Sequence, residues 1–362
     1  MTQPKSNNYI IADLHVDPIL QYLLFRYEIN QKHHEHWRPA KRRWLYDFLK
    51  ALGKLNKFHR PFFNHIDLPR MQTGGYTFGA FGIHCWPRQT ERNWPFILRQ
   101  LDYFHTIVHQ DENLVLAKRP EDINNAFQQG KVAAFPAVEG LHCLGKNGKA
   151  TMKLRLNRLE QLRNRFHVGY LTLTHFSKND AATPAMGLGC NDFAGLSEFG
   201  KEIVLKMNET GMIIDAAHVN NQGVLDACKI SKKPVIISHT GLKAIRTHRR
   251  NISNEELQAV AGTGGIVGVM FATHFLSEAK KNLTSKIILE HIDYIVQTVG
   301  EDHAAIGSDF DGWISGIPYD MQDASDMPIL IRGLVNLGYS NERIKKILGE
   351  NFLRVWGNVL GV

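Results

Sequence analysis

Short apolar runs recur along the chain, separated by longer amphipathic stretches. The runs are rich in Val, Ile and Phe and nearly continuous in hydrophobicity, which is typical of strands covered on both faces. Eight such runs are present, with room for at least one helix between most of them, and they lie at 9–14, 76–83, 132–138, 168–174, 212–217, 234–238, 265–271 and 304–308. The pattern therefore predicts eight strand–helix units.

Eight such units favour a parallel (β/α)8 TIM barrel. The alternative is an open doubly wound sheet, which usually carries a glycine-rich phosphate turn after its first strand. The first run here leads into Asp-Leu-His-Val-Asp at residues 13–17, which contains no glycine. Cutting out a second domain would split the series of strands, so we predict one barrel domain over residues 1–362.

The interval at residues 24–66, between the first and second runs, departs from this pattern. It holds a group of histidines and is rich in Lys and Arg interleaved with aromatic and aliphatic residues. We predict a helical insertion with a solvated basic face. A lid, a membrane-surface helix and an oligomer contact are the alternative functions of this segment.

Two helices are marked by local signals. Ser253 and Glu256 have the spacing of a capping box, and Ile252 and Leu257 are placed as a hydrophobic staple. Near the end of the chain, apolar residues keep to one helical face over residues 344–356. We expect this last helix to complete the outer ring of the barrel.

Composition and charge narrow the class of protein. The chain has 43 Lys and Arg against 35 Asp and Glu, and this net charge of +8 is too diffuse to indicate a nucleic-acid partner. Because no run of about 18 apolar residues occurs, we predict no transmembrane segment. The first residues lack the apolar core of a signal peptide, and the cysteines form no CxxC pair. These two features predict a cytoplasmic protein with reduced thiols.

Side chains that can bind metals follow six of the eight runs. They are His15 and Asp17 after the first, Glu139 after the third, His175 after the fourth, His218 after the fifth, His239 after the sixth and Asp309 after the eighth. The carboxyl ends of the strands meet at one mouth of a barrel, where the active sites of this fold lie. Taken singly, each residue is more often an ordinary loop or core residue. Together they would bury costly charge unless it is paired or bound to a metal, so we predict a site for Zn²⁺ or a similar ion.

The number of candidate ligands indicates two metal ions. Five candidates exceed what one catalytic zinc takes while it keeps a position open for water, and they are His15, Asp17, Glu139, His218 and His239. If Glu139 bridges, each ion has His or carboxylate ligands from two or more strands. A hydroxide shared by the two ions could then attack a carbonyl or phosphoryl centre.

At this point the sequence resembles the membrane (renal) dipeptidase family of the amidohydrolase superfamily. The matching stretches appear in the order of the family and cover most of the chain. They lie at 13–17 (DLHVD), 138–140 (VEG), 170–175 (YLTLTH), 195–200 (GLSEFG), 214–219 (IDAAHV), 234–239 (PVIISH), 248–251 (HRRN) and 307–312 (GSDFDG). Any one stretch is moderate evidence, whereas the set with its spacing is highly specific.

The resemblance implies zinc-dependent hydrolysis of small dipeptide substrates at a site with two zinc ions. By this resemblance His15 and Asp17 would bind one ion, His218 and His239 would bind the other, and Glu139 would bridge them. A hydroxide bridging the two ions would be the attacking group.

The resemblance also implies roles toward substrate and proton for three residues. His175 would contact the substrate carbonyl and stabilise the tetrahedral intermediate, and Arg250 would hold the C-terminal carboxylate. Asp309 would take the proton from the attacking water and pass it to the leaving amine. A guanidinium suits a carboxylate because its planar fork can bind bidentately. Arg249 and Asp311 are the neighbouring competitors for the last two roles, and we expect Asp311 to be a turn residue.

Two other functions stay open. Another amidohydrolase with two metals could act on N-acyl amino acids, β-lactam-like amides or phosphoesters, although related phosphoesterases favour His-x-His where this chain has His15-x-Asp17. The other alternative is a barrel that binds anions and has no activity, but such a protein would not need the proton shuttle Asp309. The sequence leaves the oligomeric state open, with a homodimer among the options.

Overall fold

Nine strands form the sheet in the part of the chain that the computed structural model describes, which is residues 8–32, 39, 42–55, 64–279, 283–314 and 316–362. The strands are β1 (Ala12–Val16), β2 (Phe78–His84), β3 (Leu114–Leu116), β4 (Val132–Glu139), β5 (Tyr170–Thr172), β6 (Ile213–Asp215), β7 (Val235–Thr240), β8 (Ile266–Val269) and β9 (Ala304–Ile306). All their pairings are parallel.

Eight of these strands close into a barrel, because β1 pairs with β2 on one side and with β9 on the other. The order around the barrel is β1, β2, β4, β5, β6, β7, β8 and β9. These eight strands are the eight predicted runs, so the (β/α)8 TIM barrel is confirmed. The sequence did not predict β3, which pairs with the first half of β4 while β5 pairs with the second half.

Helices surround the barrel. They are α1 (Pro18–Phe25), α2 (Arg43–Leu55), α3 (Leu68–Gly74), α4 (Asn93–Gln110), α5 (Pro120–Gln129), α6 (Met152–Asn164), α7 (Glu198–Thr210), α8 (Asn221–Ile230), α9 (Asn254–Gly262), α10 (Thr273–Leu276), α11 (Lys286–Val299), α12 (Met327–Asn336), α13 (Asn341–Lys345) and α14 (Asn351–Leu360). Short 3₁₀ helices lie at Leu141–Leu144, Glu301–His303 and Ala324–Asp326, and a π-helical turn at Lys346–Glu350 joins α13 to α14. Among the residues described, no helix combines the length and the apolar character that crossing a membrane requires.

The predicted insertion contains one described helix, α2. The histidines at positions 33, 34 and 36 lie outside the described residues, as do residues 40–41 and 56–63. The functions considered for this segment therefore stay predictions. At α9 the predicted capping box is present: the Ser253 side chain accepts from the backbone N–H of Glu256, and the Glu256 side chain accepts from that of Ser253.

The last helix differs from our expectation. Instead of only completing the outer ring, α14 packs two of its rings against the barrel interior. Phe352 lies 4.9 Å from Phe78 between ring centroids, and Trp356 lies 5.1 Å from Phe135. Phe78 is the first residue of β2, so α14 covers the barrel at the amino ends of the strands and leaves the opposite end open.

Alternation along the strands carries polar side chains to that open end. Phe78 and Ala80 belong to the interior cluster, and continuing every second residue along β2 leads to His84. The same phase along β4 leads from Phe135 to Glu139. In β1, the pairing with β2 shifts register after Asp13. This shift changes which residues of β1 point into the barrel before the strand reaches its polar end. The open mouth of the barrel is therefore lined by the polar ends of several strands.

Candidate metal centre

The five predicted metal ligands come from four strand ends and are all buried. His15 lies in β1 with Asp17 directly after it, Glu139 ends β4, His218 follows β6 and His239 lies in β7. The structure also brings His175, after β5, and Asp309, after β9, to the same place. A cavity of about 720 Å³ opens above them, and its wall includes Asp17, Glu139, His175, His218, Asp309 and Arg250.

Glu139 lies at the centre of this cluster. Its Oε1 is 3.0 Å from Nε2 of His218, 3.6 Å from Nε2 of His239 and 3.9 Å from Nε2 of His15. Its other oxygen, Oε2, is 3.3 Å from Nε2 of His175. One carboxylate therefore faces imidazoles from four strands, and the groups Glu139–His218–His239 and His15–His239–Asp309 are each compact enough to hold a metal ion.

His15 carries a buried nitrogen that fits a metal ligand. Its Nδ1 bonds the hydroxyl of Tyr170, and that hydroxyl lies 3.0 Å from the carbonyl oxygen of Leu14, to which it donates. Nδ1 of His15 therefore carries a proton, and Nε2 is the nitrogen that can bind a metal. Among the residues described, this buried Nε2 makes no hydrogen bond. In a metal-binding histidine, the ring nitrogen that does not bind the metal usually donates a hydrogen bond, which fixes the tautomer.

A second chain of hydrogen bonds fixes His239 in the same way. The hydroxyl of Ser238 donates to Oδ2 of Asp215 at 2.8 Å and lies 2.9 Å from Nδ1 of His239, from which it accepts. Asp215 is fully buried and also accepts from the hydroxyl of Thr172 at 2.6 Å. Nε2 of His239 is left with its lone pair toward the cluster, 2.9 Å from Nε2 of His218.

Electrostatics keep Glu139, His218 and His239 in the forms that bind metals. Burial alone would raise the pKa of Glu139, but the neighbouring imidazoles, His175 and His218 first, outweigh burial and hold this pKa well below its ordinary value. Burial lowers the pKa of His218 and of His239 well below the ordinary value, so both rings are neutral. Ionised carboxylates and neutral imidazoles are the forms that metals require.

The negative charges of Asp17 and Glu139 favour a positive charge between these two carboxylates. Burial would lower the pKa of His15, yet Asp17 and Glu139 outweigh it and raise this pKa to about 10. Asp17 likewise has its pKa lowered, because His84 and His15 outweigh the effect of burial. A metal cation would supply that positive charge. Since a metal would take the place of the proton on Nε2 of His15, which makes no hydrogen bond among the described residues, the donor set fits a divalent metal that takes N and O ligands.

Asp309 differs from Asp17 and Glu139 in that its pKa is raised, and its backbone is left-handed. Its backbone N–H donates to the carbonyl oxygen of His15 at 3.0 Å, and its φ of 61° lies in the left-handed region. His218 has a φ of 64°, also left-handed. Such backbone is uncommon outside glycine and concentrates at functional sites. Removal from water raises the pKa of Asp309 well above its ordinary value, so its carboxyl accepts a proton more readily than an exposed one.

Of the two adjacent arginines, Arg250 lies in the cavity wall and Arg249 does not. Arg250 is buried and donates from Nη2 to the carbonyl oxygen of His239 at 2.9 Å. Burial lowers its pKa to about 10, so it stays charged at neutral pH. Arg249 is exposed and forms an ion pair with Asp192 at 2.7 Å.

Sequence reasoning missed His84, the last residue of β2. Its Nε2 is 2.8 Å from Oδ1 of Asp17, and its Nδ1 is 3.2 Å from Oε2 of Glu139, so it contacts both carboxylates. The signal was available, since His84 follows the second run as Glu139 follows the third. Asp311 lies in a turn, as expected, with a left-handed φ of 66°, and it is also fully buried and accepts from the backbone N–H of His65 at 2.7 Å.

Clustered imidazoles and carboxylates at the carboxyl end of a (β/α)8 barrel define a metal-dependent hydrolase. The model of the membrane dipeptidase family (peptidase family M19) matches residues 10–362, so the chain belongs to this family. It is accordingly a metallo-dipeptidase that acts on small peptides.

Individual relatives agree with this membership. The chain is 29% identical over 304 residues to dipeptidase tcpJ of Claviceps purpurea, covering 80% of this chain and 68% of that protein. Its fold is similar to the crystal structure of the probable dipeptidase PvdM from Pseudomonas aeruginosa, with a TM-score of 0.80 and 20% identity over 98% of this chain and 96% of that chain. A metallopeptidase from Rhodobacter sphaeroides, liganded with a phosphinate mimic of the dipeptide L-Ala-D-Ala, gives a TM-score of 0.75 at 20% identity over 97% and 99% of the two chains.

Proposed function

We propose that the protein hydrolyses the peptide bond of dipeptides with two zinc ions and a hydroxide that bridges them. His15 and Asp17 would hold one ion, His218 and His239 would hold the other, and Glu139 would bridge them. The observation that carries this proposal is the position of Glu139, whose Oε1 lies within 3.9 Å of the Nε2 atoms of His15, His218 and His239. When bound, the ions supply an activated water and a polarised substrate carbonyl.

The protein's own groups then handle substrate and proton. We propose that Asp309 takes a proton from the attacking water and returns it to the leaving amine, because its raised pKa suits a group that must hold a proton briefly. Arg250 would bind the C-terminal carboxylate of the dipeptide, since it is a buried guanidinium in the cavity wall.

We assign His175 to the substrate carbonyl. It lies in the cavity wall, and its Nε2 is 3.3 Å from Oε2 of Glu139. Burial lowers the pKa of its imidazole to about 4, so the ring is neutral and can donate a hydrogen bond from one nitrogen. Such a donor would stabilise the negative charge that develops on the carbonyl oxygen in the tetrahedral intermediate. His84 would orient Asp17 and Glu139 through the bonds described above.

Metal analysis tests the proposal most directly. The purified protein, dialysed after zinc loading, should contain two zinc ions per chain by mass spectrometry and hydrolyse members of a panel of L-L and L-D dipeptides. Glu139→Gln should bring the metal below two ions per chain, whereas Glu198→Gln, which changes an exposed carboxylate at the start of α7, should not. Two bound zinc ions without turnover of any dipeptide would contradict the proposed reaction, and unchanged stoichiometry in Glu139→Gln would contradict the bridge.

We also propose a location and an assembly for the protein. We propose a cytoplasmic location because the four cysteines are all free thiols, which is typical of reducing compartments. A homodimer is the assembly we propose to test first, by light scattering coupled to size-exclusion chromatography. Cell fractionation tests the location, and an oxidised or exported protein would contradict it.

A further inference from the structure

The wall of the cavity above the cluster of candidate metal ligands, called the metal cluster below, is not uniform. One side is apolar and is built from segments that follow three neighbouring strands, β9, β1 and β2. This apolar wall consists of Trp313 and Ile314 after β9, Leu20, Leu23 and Leu24 on α1, and Trp86 and Phe96 after β2. The remainder of the cavity wall is largely polar and charged, and it includes Asp17, Arg42, His84, Arg99, Glu139, His175, His218, Arg250, His274 and Asp309.

Arg250 lies across the cavity from the part of the apolar wall that follows β2, namely Trp86 and Phe96. Its hydrogen bond to the carbonyl oxygen of His239 places its guanidinium at β7. In the order of the closed barrel β7 lies four strands from β2, which is the opposite side. The metal cluster lies between the two. A dipeptide whose carboxylate reaches Arg250 and whose peptide bond lies over Glu139 therefore directs its N-terminal residue toward the apolar wall.

The leucines of the apolar wall are placed by helical spacing. Leu20, Leu23 and Leu24 stand at positions i, i+3 and i+4 and so share one face of α1. The helix begins at Pro18, directly after Asp17, so this face is fixed relative to the metal cluster. All three side chains are partly exposed, and the surface they leave open forms part of the cavity.

The aromatic members of the wall also present open apolar surface. Trp86 stacks on Phe96 with 4.8 Å between ring centroids, yet 54% of Trp86 is exposed. Trp313 is 38% exposed and has a φ of 61°, a left-handed backbone that a bulky residue rarely adopts. Large apolar groups that stay exposed together inside a cavity indicate a binding surface for an apolar ligand group.

Charge on this side of the cavity is positive. Arg42 and Arg99 line the cavity, from the segment after β1 and from α4 respectively. Asp17, Glu139 and Asp309 are the acidic groups among the described residues of the wall, and all three belong to the metal cluster. A side chain that extends along the apolar wall away from the metals therefore meets cations and no carboxylate, which disfavours Lys and Arg.

We propose that the apolar wall selects dipeptides whose N-terminal residue carries a large apolar side chain, aromatic or branched aliphatic. This inference rests on the proposed function, because the position of Arg250 sets the direction of the substrate. Burying such a side chain against the wall removes apolar surface from water, and the resulting preference over glycine is about tenfold or more in kcat/KM.

A substrate series tests the selectivity. The zinc-loaded enzyme is assayed with Phe-Ala, Leu-Ala, Gly-Ala and Lys-Ala, each with L- and D-alanine as the second residue. We expect kcat/KM for Phe-Ala and Leu-Ala to exceed that for Gly-Ala and Lys-Ala by about tenfold or more. Calorimetric titration with reduced-amide analogues of Phe-Ala and Gly-Ala, in which –CH2–NH– replaces the peptide bond, should show the same order in Kd. Equal values within about twofold, or a preference for Gly-Ala or Lys-Ala, would overturn the inference.

Two substitutions locate the selectivity in the wall. Trp86→Ala should lower the ratio of kcat/KM for Phe-Ala over Gly-Ala by about fivefold or more, because it removes the most exposed ring of the wall. Leu23→Glu should raise kcat/KM for Lys-Ala relative to Phe-Ala, because it places a carboxylate among the apolar groups. Phe193→Ala removes a ring that is 93% exposed and outside the cavity wall, and it should leave both ratios unchanged.

The results separate this inference from the proposed function. If dipeptides are hydrolysed but neither the substrate order nor the two variants behave as expected, the selectivity is wrong and the dipeptidase proposal stands. If none of the dipeptides is hydrolysed by zinc-loaded enzyme, the proposed function fails and the selectivity fails with it.

Discussion

The hydroxyl of Tyr170 lies between Nδ1 of His15 and the carbonyl oxygen of Leu14, and so determines which nitrogen of His15 carries the proton. Removing this hydroxyl should free the ring to rotate and to change tautomer. We expect Tyr170→Phe to weaken zinc binding by about 10–100-fold, measured by competition with a chelator of known affinity. Tyr339→Phe is the matched control, because Tyr339 donates to Asp293 far from the cluster. Equal zinc affinity in the two variants would mean that Tyr170 does not set the tautomer.

Asp309→Asn separates proton transfer from metal binding. The amide keeps the shape of the side chain but cannot accept the proton, so we expect kcat to fall by about 10²–10⁴-fold while zinc content stays near that of the unaltered protein. Asp192→Asn, which changes an exposed carboxylate, should leave both quantities unchanged. If zinc is lost together with activity, Asp309 is itself a ligand, as its closeness to His15 and His239 also allows.

The adjacent arginines offer an internally controlled test of carboxylate binding. Arg250→Ala should reduce kcat/KM for dipeptides with a free carboxylate by about 10–100-fold and affect C-terminally amidated dipeptides much less. Arg249→Ala should affect neither class, because Arg249 is exposed and paired with Asp192. An equal loss on free and amidated substrates in Arg250→Ala would remove the assigned role.

A histidine away from the metal cluster makes stability depend on pH. His291 is buried, accepts from the backbone N–H of Leu242 at 3.1 Å and lies 3.0 Å from the carbonyl oxygen of Leu276. Burial lowers its pKa from 6.5 to about 4. The neutral ring therefore contributes stability that is present above pH 6.5 and is lost as the pH falls from 6.5 to 4. A depression of this size corresponds to about 3 kcal/mol.

Urea titrations at pH 7 and pH 4 test this contribution. The free energy of unfolding of the unaltered protein should fall more steeply with acidification than that of His291→Gln, and the difference between the two slopes isolates His291 from the histidines of the metal cluster. His109→Gln, at the exposed end of α4, serves as the control and should follow the unaltered protein. Parallel pH profiles for all three proteins would mean that His291 does not titrate in this range.

The barrel could be predicted because parallel strands buried on both faces leave continuous apolar runs that the sequence displays directly. Polar residues such as Glu139 and His218 could be recognised at the ends of those runs because they directly follow uninterrupted apolar sequence. His84 was missed although it follows its run as directly as Glu139 does, so the pattern that indicated Glu139 also indicates His84. β3 was missed because three residues make too short a run, and it adds only one pairing to the barrel.

Other features could not be predicted because they depend on contacts between distant parts of the chain. Tyr170 and Ser238 lie within apolar runs, and nothing local shows that their hydroxyls bond histidines. Asp311 was correctly expected in a turn, but its hydrogen-bond partner His65 is 246 positions away and could not be inferred locally. The apolar wall is assembled from three separate segments, and its existence depends on the order of the strands.

The place of β9 in the barrel has a consequence for biosynthesis. This strand comes last in the chain, yet it lies between β8 and β1 and is followed directly by the segment that carries Asp309. A nascent chain on the ribosome that has emerged only as far as β8 has no partner for the free edge of β1 and lacks Asp309, the proposed proton acceptor. On this proposal, peptide cleavage would begin only after β9 and the segment that follows it have been translated.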